Sequence, residues 1–87
     1  MTTLGEVKKA WNKWMKKNKD AFDSDTKVSE KANRLLEGFK RALAKENDLG
    51  DSAGMAFRSL KSSTILGRRA MAAFKRLQNF MGESSPN

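Results

Sequence analysis

The sequence predicts an all-α fold, a small bundle of about four helices that homodimerisation can complete. Three observations predict it. Apolar residues recur every three or four positions along most of the chain, the spacing that gathers them on one side of a helix. The only proline, Pro86, lies near the end. Between the periodic stretches stand short polar segments rich in the Thr, Asp, Asn, Ser and Gly that begin and end helices. The 87 residues suffice for one domain and not for two. A domain of this size buries roughly 60% of its unfolded surface, so its core is modest and self-association would add to it.

The first helix is expected from about Leu4 to Lys19. Thr3-Leu4-Gly5-Glu6 fits a capping box, in which the Thr3 hydroxyl and the Glu6 carboxylate satisfy free amides at the helix start. Leu4, Val7, Trp11, Trp14 and Met15 fall on one side, with Lys9, Lys13, Lys16 and Lys17 opposite. A polar stretch from Asn18 to Thr26 follows, and its Asp20, Asp23 and Asp25 suit the positive end of the next helix. That helix, from about Lys27 to Glu46, carries the most regular apolar stripe: Val28, Ala32, Leu35, Leu36, Phe39, Ala42 and Leu43. Asn47-Asp48-Leu49-Gly50 reads as its stop, because Gly50 adopts a left-handed conformation at no steric cost.

Asp51 or Ser52 is placed to cap a third helix that turns Ala53, Ala56, Phe57 and Leu60 inward. The fourth is expected from about Ile65 to Met81, with Leu66, Ala70, Ala73, Phe74, Leu77, Phe80 and Met81 on one face. On a single wheel the two stripes differ by roughly 120°, so the chain breaks between them, with Ser62-Ser63-Thr64 as ready N-caps. Gly82 closes the last helix. Residues 1–82 thus read as a single helical domain and 83–87 as a flexible C-terminal tail.

Charge is the strongest functional signal. Lys and Arg total 18 against 10 Asp and Glu, a net charge of +8. Such a balance favours nucleic acid, an acidic membrane or an acidic protein as partner. The charge is also segregated. Val7 to Lys19 holds six lysines and no acid, and Ser52 to Gly82 holds Arg58, Lys61, Arg68, Arg69, Lys75 and Arg76 and again no acid. The helix between is balanced, with Glu30–Arg34 and Glu37–Arg41 at the spacing of neutralising pairs.

Arg68, Arg69, Lys75 and Arg76 share the side of the last helix away from its apolar stripe, with Ala72 and Asn79 between them. The planar fork of arginine donates two parallel hydrogen bonds to phosphate. A small Ala72 lets a bulky backbone come close, and Asn79 can add a phosphate or sugar contact. The bland alternative is the solvated face of a surface helix. Lys9, Lys13 and Lys16 would add affinity and steering without bidentate geometry. Trp11 and Trp14 could stack on bases. Their spacing with Leu4 and Val7 argues instead for a core position against the helix at 27–46. Gly67, Ala70 and Ala73, like Ala53, Gly54 and Ala56, are small residues suited to close helix crossings.

Several classes fall away. Without cysteine there is no disulfide scaffold or thiolate metal site, and without histidine the commonest general base and metal ligand are missing. The acids have structural explanations at helix starts, in loops or in pairs, and Asp20, Asp23 and Asp25 miss the spacing of a calcium loop. No Gly-rich phosphate loop is present. An enzyme is not expected, nor a cofactor or metal. No apolar run nears the ~20 residues of a membrane span, and no signal-peptide pattern appears, so the expected location is intracellular, soluble and cytoplasmic by default. Zinc-finger, basic-zipper and sheet-based RNA-module signatures are absent.

The expectation is a small basic helical protein that binds a nucleic-acid backbone, double-stranded RNA or DNA, largely without sequence specificity. The candidate contacts are Arg68, Arg69, Lys75, Arg76, Asn79, Arg58, Lys61, Lys9, Lys13 and Lys16. The alternative is an accessory or inhibitory protein docking through its basic faces on an acidic protein partner. A third reading lays the first helix on an anionic membrane surface.

Overall fold

A computed structural model describes residues 1–84. Five helices follow one another: α1 (Leu4–Lys17), α2 (Lys19–Ser24), α3 (Thr26–Glu46), α4 (Ala53–Ser59) and α5 (Arg68–Ser84). No strand occurs among the described residues, so the fold is all-helical as expected. The Cα radius of gyration, 12.7 Å, is that of a folded globule of this length.

The long helix α3 is the hub, because its stripe buries Ala32, Leu36, Phe39, Leu43 and Ala44 at once. Phe39 is fully buried, with its ring 6.3 Å from that of Phe57 beside α4's core face and 6.2 Å from that of Phe74 on α5. The two longest helices run antiparallel. Glu46 at the C-terminal end of α3 meets the start of α5, and Lys31 near the other end lies 5.5 Å from the Phe80 ring.

The segment expected as a polar connector, Asn18 to Thr26, contains the helix α2. Asn18 makes the bend. It is 2% exposed, and its side-chain amide donates at 2.9 Å to the Trp14 carbonyl, which also accepts from the Asn18 backbone N–H at 2.9 Å. One turn of helix then lets Phe22 reach the Trp14 indole, 6.4 Å away edge-on. Trp14 packs on Phe22 of α2 and on Phe80 of α5, 5.6 Å away. Asp25 then caps α3, its carboxylate accepting from the amides of Lys27 at 3.0 Å and Val28 at 3.4 Å. At the other end α3 stops after Glu46, with Asp48 (φ 57°) and Gly50 (φ 60°) both left-handed. The capping potential of Ser52 is unused, because its side chain makes no hydrogen bond to α4.

The start of α1 departs from a simple capping box. The Thr3 hydroxyl accepts from Glu6 N at 3.4 Å, but the Glu6 carboxylate accepts no bond among the described residues. Instead, residues 62–66 form a strap across the helix start. The carbonyls of Thr64 and Ser62 accept from Leu4 N at 2.8 Å and Gly5 N at 2.9 Å, and Leu66 N donates to Thr2 O at 3.0 Å. A β-carbon on Gly5 would stand 3.0 Å from Ser62 Cβ, so glycine is what lets the strap lie this close.

Ser62, Ser63 and Thr64 therefore do not cap the last helix. The break expected there is present, but α5 begins later, at Arg68, and runs past Gly82 through Ser84. Of the expected tail, 85–87 lies outside the described residues. The missing cap comes from 21 residues upstream. The Glu46 carboxylate accepts from Gly67 N at 3.1 Å, Arg69 N at 3.1 Å and Ala70 N at 3.3 Å. Gly67 makes room for it, since a β-carbon at that position would overlap the carboxylate.

Candidate nucleic-acid interface

The antiparallel packing of α3 and α5 leaves a trough along their outer seam. Its central depression, about 310 Å³, is lined by Arg34, Leu35, Gly38 and Ala42 of α3 and by Arg69, Ala72, Ala73 and Arg76 of α5. A second depression of about 310 Å³ shares Leu35 and Arg76 and carries the trough onward past Lys31, Asn79, Phe80 and Glu83. Small residues, Gly38, Ala42, Ala72 and Ala73, form the floor, and arginines from both helices form the walls.

Helical geometry explains the arrangement on α5. Arg69 and Arg76 are seven residues apart, two turns and about 10.5 Å along the axis, so both rise from the flank toward α3. Arg68 and Lys75 repeat the same spacing about 100° around the helix. They line a separate depression of about 530 Å³ with Leu66, Gly67, Met71 and Ala72. Ala72 borders both depressions, so the crest between the two basic rows is low. All of these cationic residues, and Asn79, are exposed.

Not every candidate residue joins this surface. Lys13 borders a different depression, of about 220 Å³, with Ala10, Trp14, Lys17, Met81 and Gly82. Lys9 and Lys16 are exposed on α1, Arg58 on α4 and Lys61 just beyond it, and none of the four borders a described depression. Trp14 is 4% exposed and Trp11 half-buried against it, ring centroids 5.6 Å apart, so the tryptophans belong to the core.

The sequence reading found the helix α3 but not the part its Arg34 takes in the trough. It took Arg34 and Arg41 to be neutralised by Glu30 and Glu37. Neither pair forms. Glu37 meets Lys40 instead, at 3.5 Å, and this is the one ion pair among the described residues. The i,i+3 partner wins because Lys40 is already drawn to that side, its ammonium 5.0 Å from the Phe57 ring. Arg34 is left at the trough wall. The signal that could have found it is its turn-by-turn alignment with Gly38 and Ala42, small residues on the same edge of the stripe.

No group of three metal-binding side chains occurs among the described residues, and none of their helices is long and apolar enough to cross a membrane. Comparisons with protein-family models, curated proteins and solved structures returned no match.

Proposed function

We propose that the protein binds the phosphate backbone of a double-stranded nucleic acid, largely without sequence specificity, through the α3–α5 trough and the adjoining face of α5. The observation that carries this reading is the lining of the trough. Arg34, Arg69 and Arg76 come to it from two helices, and none is ion-paired. Duplex DNA carries one charge per ~1.7 Å of axis, so the 10.5 Å between Arg69 and Arg76 spans about six charges. Lys31, Arg34, Arg68, Arg69, Lys75 and Arg76 supply a matching number of cations. Phosphate contacts carry no base information, and only Gln78 and Asn79 add amides suited to reading bases on this helix.

A duplex is favoured over a single strand by the aromatic residues. Trp14, Phe39, Phe74 and Phe80 are buried, and Trp11, Phe22 and Phe57 are half-buried within the packing, so no ring offers unpaired bases a stacking platform. Interior placement of Trp14 also removes a natural interfacial anchor from the membrane reading. Homodimerisation through the trough is opposed by charge, since it would set arginines against arginines.

Fluorescence anisotropy against double-stranded DNA, double-stranded RNA and single strands tests the reading. Binding to a duplex should fall with salt, with a log–log slope of about −4 to −6 for some five or six phosphates. The triple variant Arg34→Glu, Arg69→Glu, Arg76→Glu should bind at least about 100-fold more weakly with unchanged helicity. No duplex binding by the wild type at low salt overturns the proposal, as does wild-type affinity in that variant. The second reading, docking of an acidic protein, draws on the same trough, whose small floor also admits a helix backbone. A salt-sensitive complex with a purified acidic protein, and none with nucleic acid, would establish it instead.

A further inference from the structure

We infer that α3 forms half of the binding site and that Gly38 is the point where the sugar–phosphate ridge of a duplex strand comes against the α3 backbone. The inference rests on the duplex-binding reading. It begins with a residue that the fold does not explain. Apart from proline, glycine is the poorest helix former, because ordering it costs the most backbone entropy. Gly38 stands in the middle of a 21-residue helix, exposed, with nothing within 4 Å of where its β-carbon would be. Any residue would fit there as far as this chain is concerned.

The other glycines differ. Gly5 lies under the 62–66 strap, Gly67 under the Glu46 carboxylate, and Gly50 is left-handed. Gly54 falls in the first turn of α4 and Gly82 in the last turn of α5, where the helix has least to lose. Only Gly38 occupies an interior helical position with no role in the fold, and it lies on the floor of the arginine-lined trough.

Its neighbours define what fits above it. Arg34 and Ala42 lie one turn to either side on the same face of α3, with Arg69, Ala72, Ala73 and Arg76 across the seam. The cations spread over two turns of α5, and the trough continues past Lys31 and Asn79, so it suits a polyanion and not a single small anion. A convex phosphate ridge entering between the helices meets small residues beneath and arginines on both walls. A side chain at position 38 would project into that space and hold the ridge away.

The test compares Gly38→Ala and Gly38→Leu with Gly82→Ala as control, using a 24-base-pair DNA or RNA duplex in anisotropy and urea unfolding in parallel. Both Gly38 variants should unfold at the same or higher urea than the wild type, because a better helix former replaces glycine. Yet Gly38→Ala should bind about threefold more weakly and Gly38→Leu about tenfold or more, as displaced phosphates lose their contacts, while Gly82→Ala binds normally. In the wild type, the Gly38 amide resonance should shift on duplex titration more than those of Gly54 and Gly82, a readout that needs no variant to fold. Duplex affinity of Gly38→Leu within twofold of wild type, or an unmoved Gly38 amide, overturns this inference while leaving duplex binding through the arginines intact. Absence of duplex binding by the wild type overturns the underlying reading instead. An acidic helical peptide that binds and is blocked by Gly38→Leu, where duplexes do not bind, would replace the nucleic acid as occupant.

Discussion

Replacing Glu46 with alanine should destabilise the fold more than any other substitution of an acidic residue. Three amides at the start of α5 depend on its carboxylate, those of Gly67 at 3.1 Å, Arg69 at 3.1 Å and Ala70 at 3.3 Å. A lost N-cap costs ~0.5–2 kcal/mol, and a negative charge at a helix start adds ~0.3–1 kcal/mol. Glu46 is half-buried, so water compensates in part when the carboxylate goes. A net cost of about 1–2 kcal/mol follows, near the middle of those ranges. For a domain of this size each kcal/mol moves Tm by ~4–8 °C, giving a fall of roughly 5–15 °C.

The assay is thermal and urea unfolding followed by circular dichroism, joined to hydrogen exchange of individual amides. Glu46→Gln keeps one acceptor oxygen and loses the charge, so it should fall between wild type and alanine. Exchange should quicken first at Arg69 and Ala70, because the cap protects the first turn of α5 before it protects the globule. The reasoning would be refuted if Glu46→Ala left both the unfolding midpoint and the protection of those two amides unchanged. The carboxylate would then be a bystander, and the start of α5 would be held by the 62–66 strap alone.

Three further substitutions matter: two separate core from surface along the α3 stripe, and one probes the strap. Phe39→Ala should cost ~3–5 kcal/mol, because the ring is fully buried between Phe57 and Phe74. Leu35→Ala should cost less, about 1–2 kcal/mol, because Leu35 is a half-buried wall of the trough with one side open; equal urea midpoints for the two variants would contradict this assignment. Gly5→Leu should displace Ser62 and break the bond from Gly5 N to its carbonyl, 2.9 Å, lowering stability by about 1–3 kcal/mol. Unchanged stability there would show that the strap gives way freely.

What the sequence disclosed was governed by the range of the interactions. The stripes of α3 and α5 repeat along one helix, so their burial could be read position by position. The Asp25 cap and the left-handed Gly50 are equally local. Glu46 is different. Its partners lie 21 to 24 residues downstream, and at the end of a helix it looks like any solvated acid. The strap from 62 to 66 is the same kind of case: its serines and threonine resemble N-caps, but their carbonyls are used by α1, nearly 60 residues earlier. Neither tertiary use leaves a periodic trace. The helical α2 was hidden for another reason, since one turn with a single aromatic, Phe22, is too short for periodicity to register.

The candidate site was half legible for a related reason. Arg69 and Arg76 stand out because no acid falls between Ser52 and Gly82, and a one-helix argument finds them. Arg34 was hidden by Glu30, whose spacing invites a pair that the folded chain does not make. An exposed i,i+4 pair is worth only a few tenths of a kcal/mol, too little to hold an arginine against other demands on it. Such pairs are therefore a weak basis for removing a charge from a surface. Once Arg34 is restored, the basic surface belongs to two helices and the trough between them, and the low floor at Gly38 and Ala72 becomes part of the same feature. The basic row of α5, which in the sequence looked like the face of one helix, is then the edge of a concave site. Glu46, one turn beyond Ala42, is occupied with backbone amides, and Glu83 at the other end forms no ion pair with Arg76, so the arginines are free to meet an external anion.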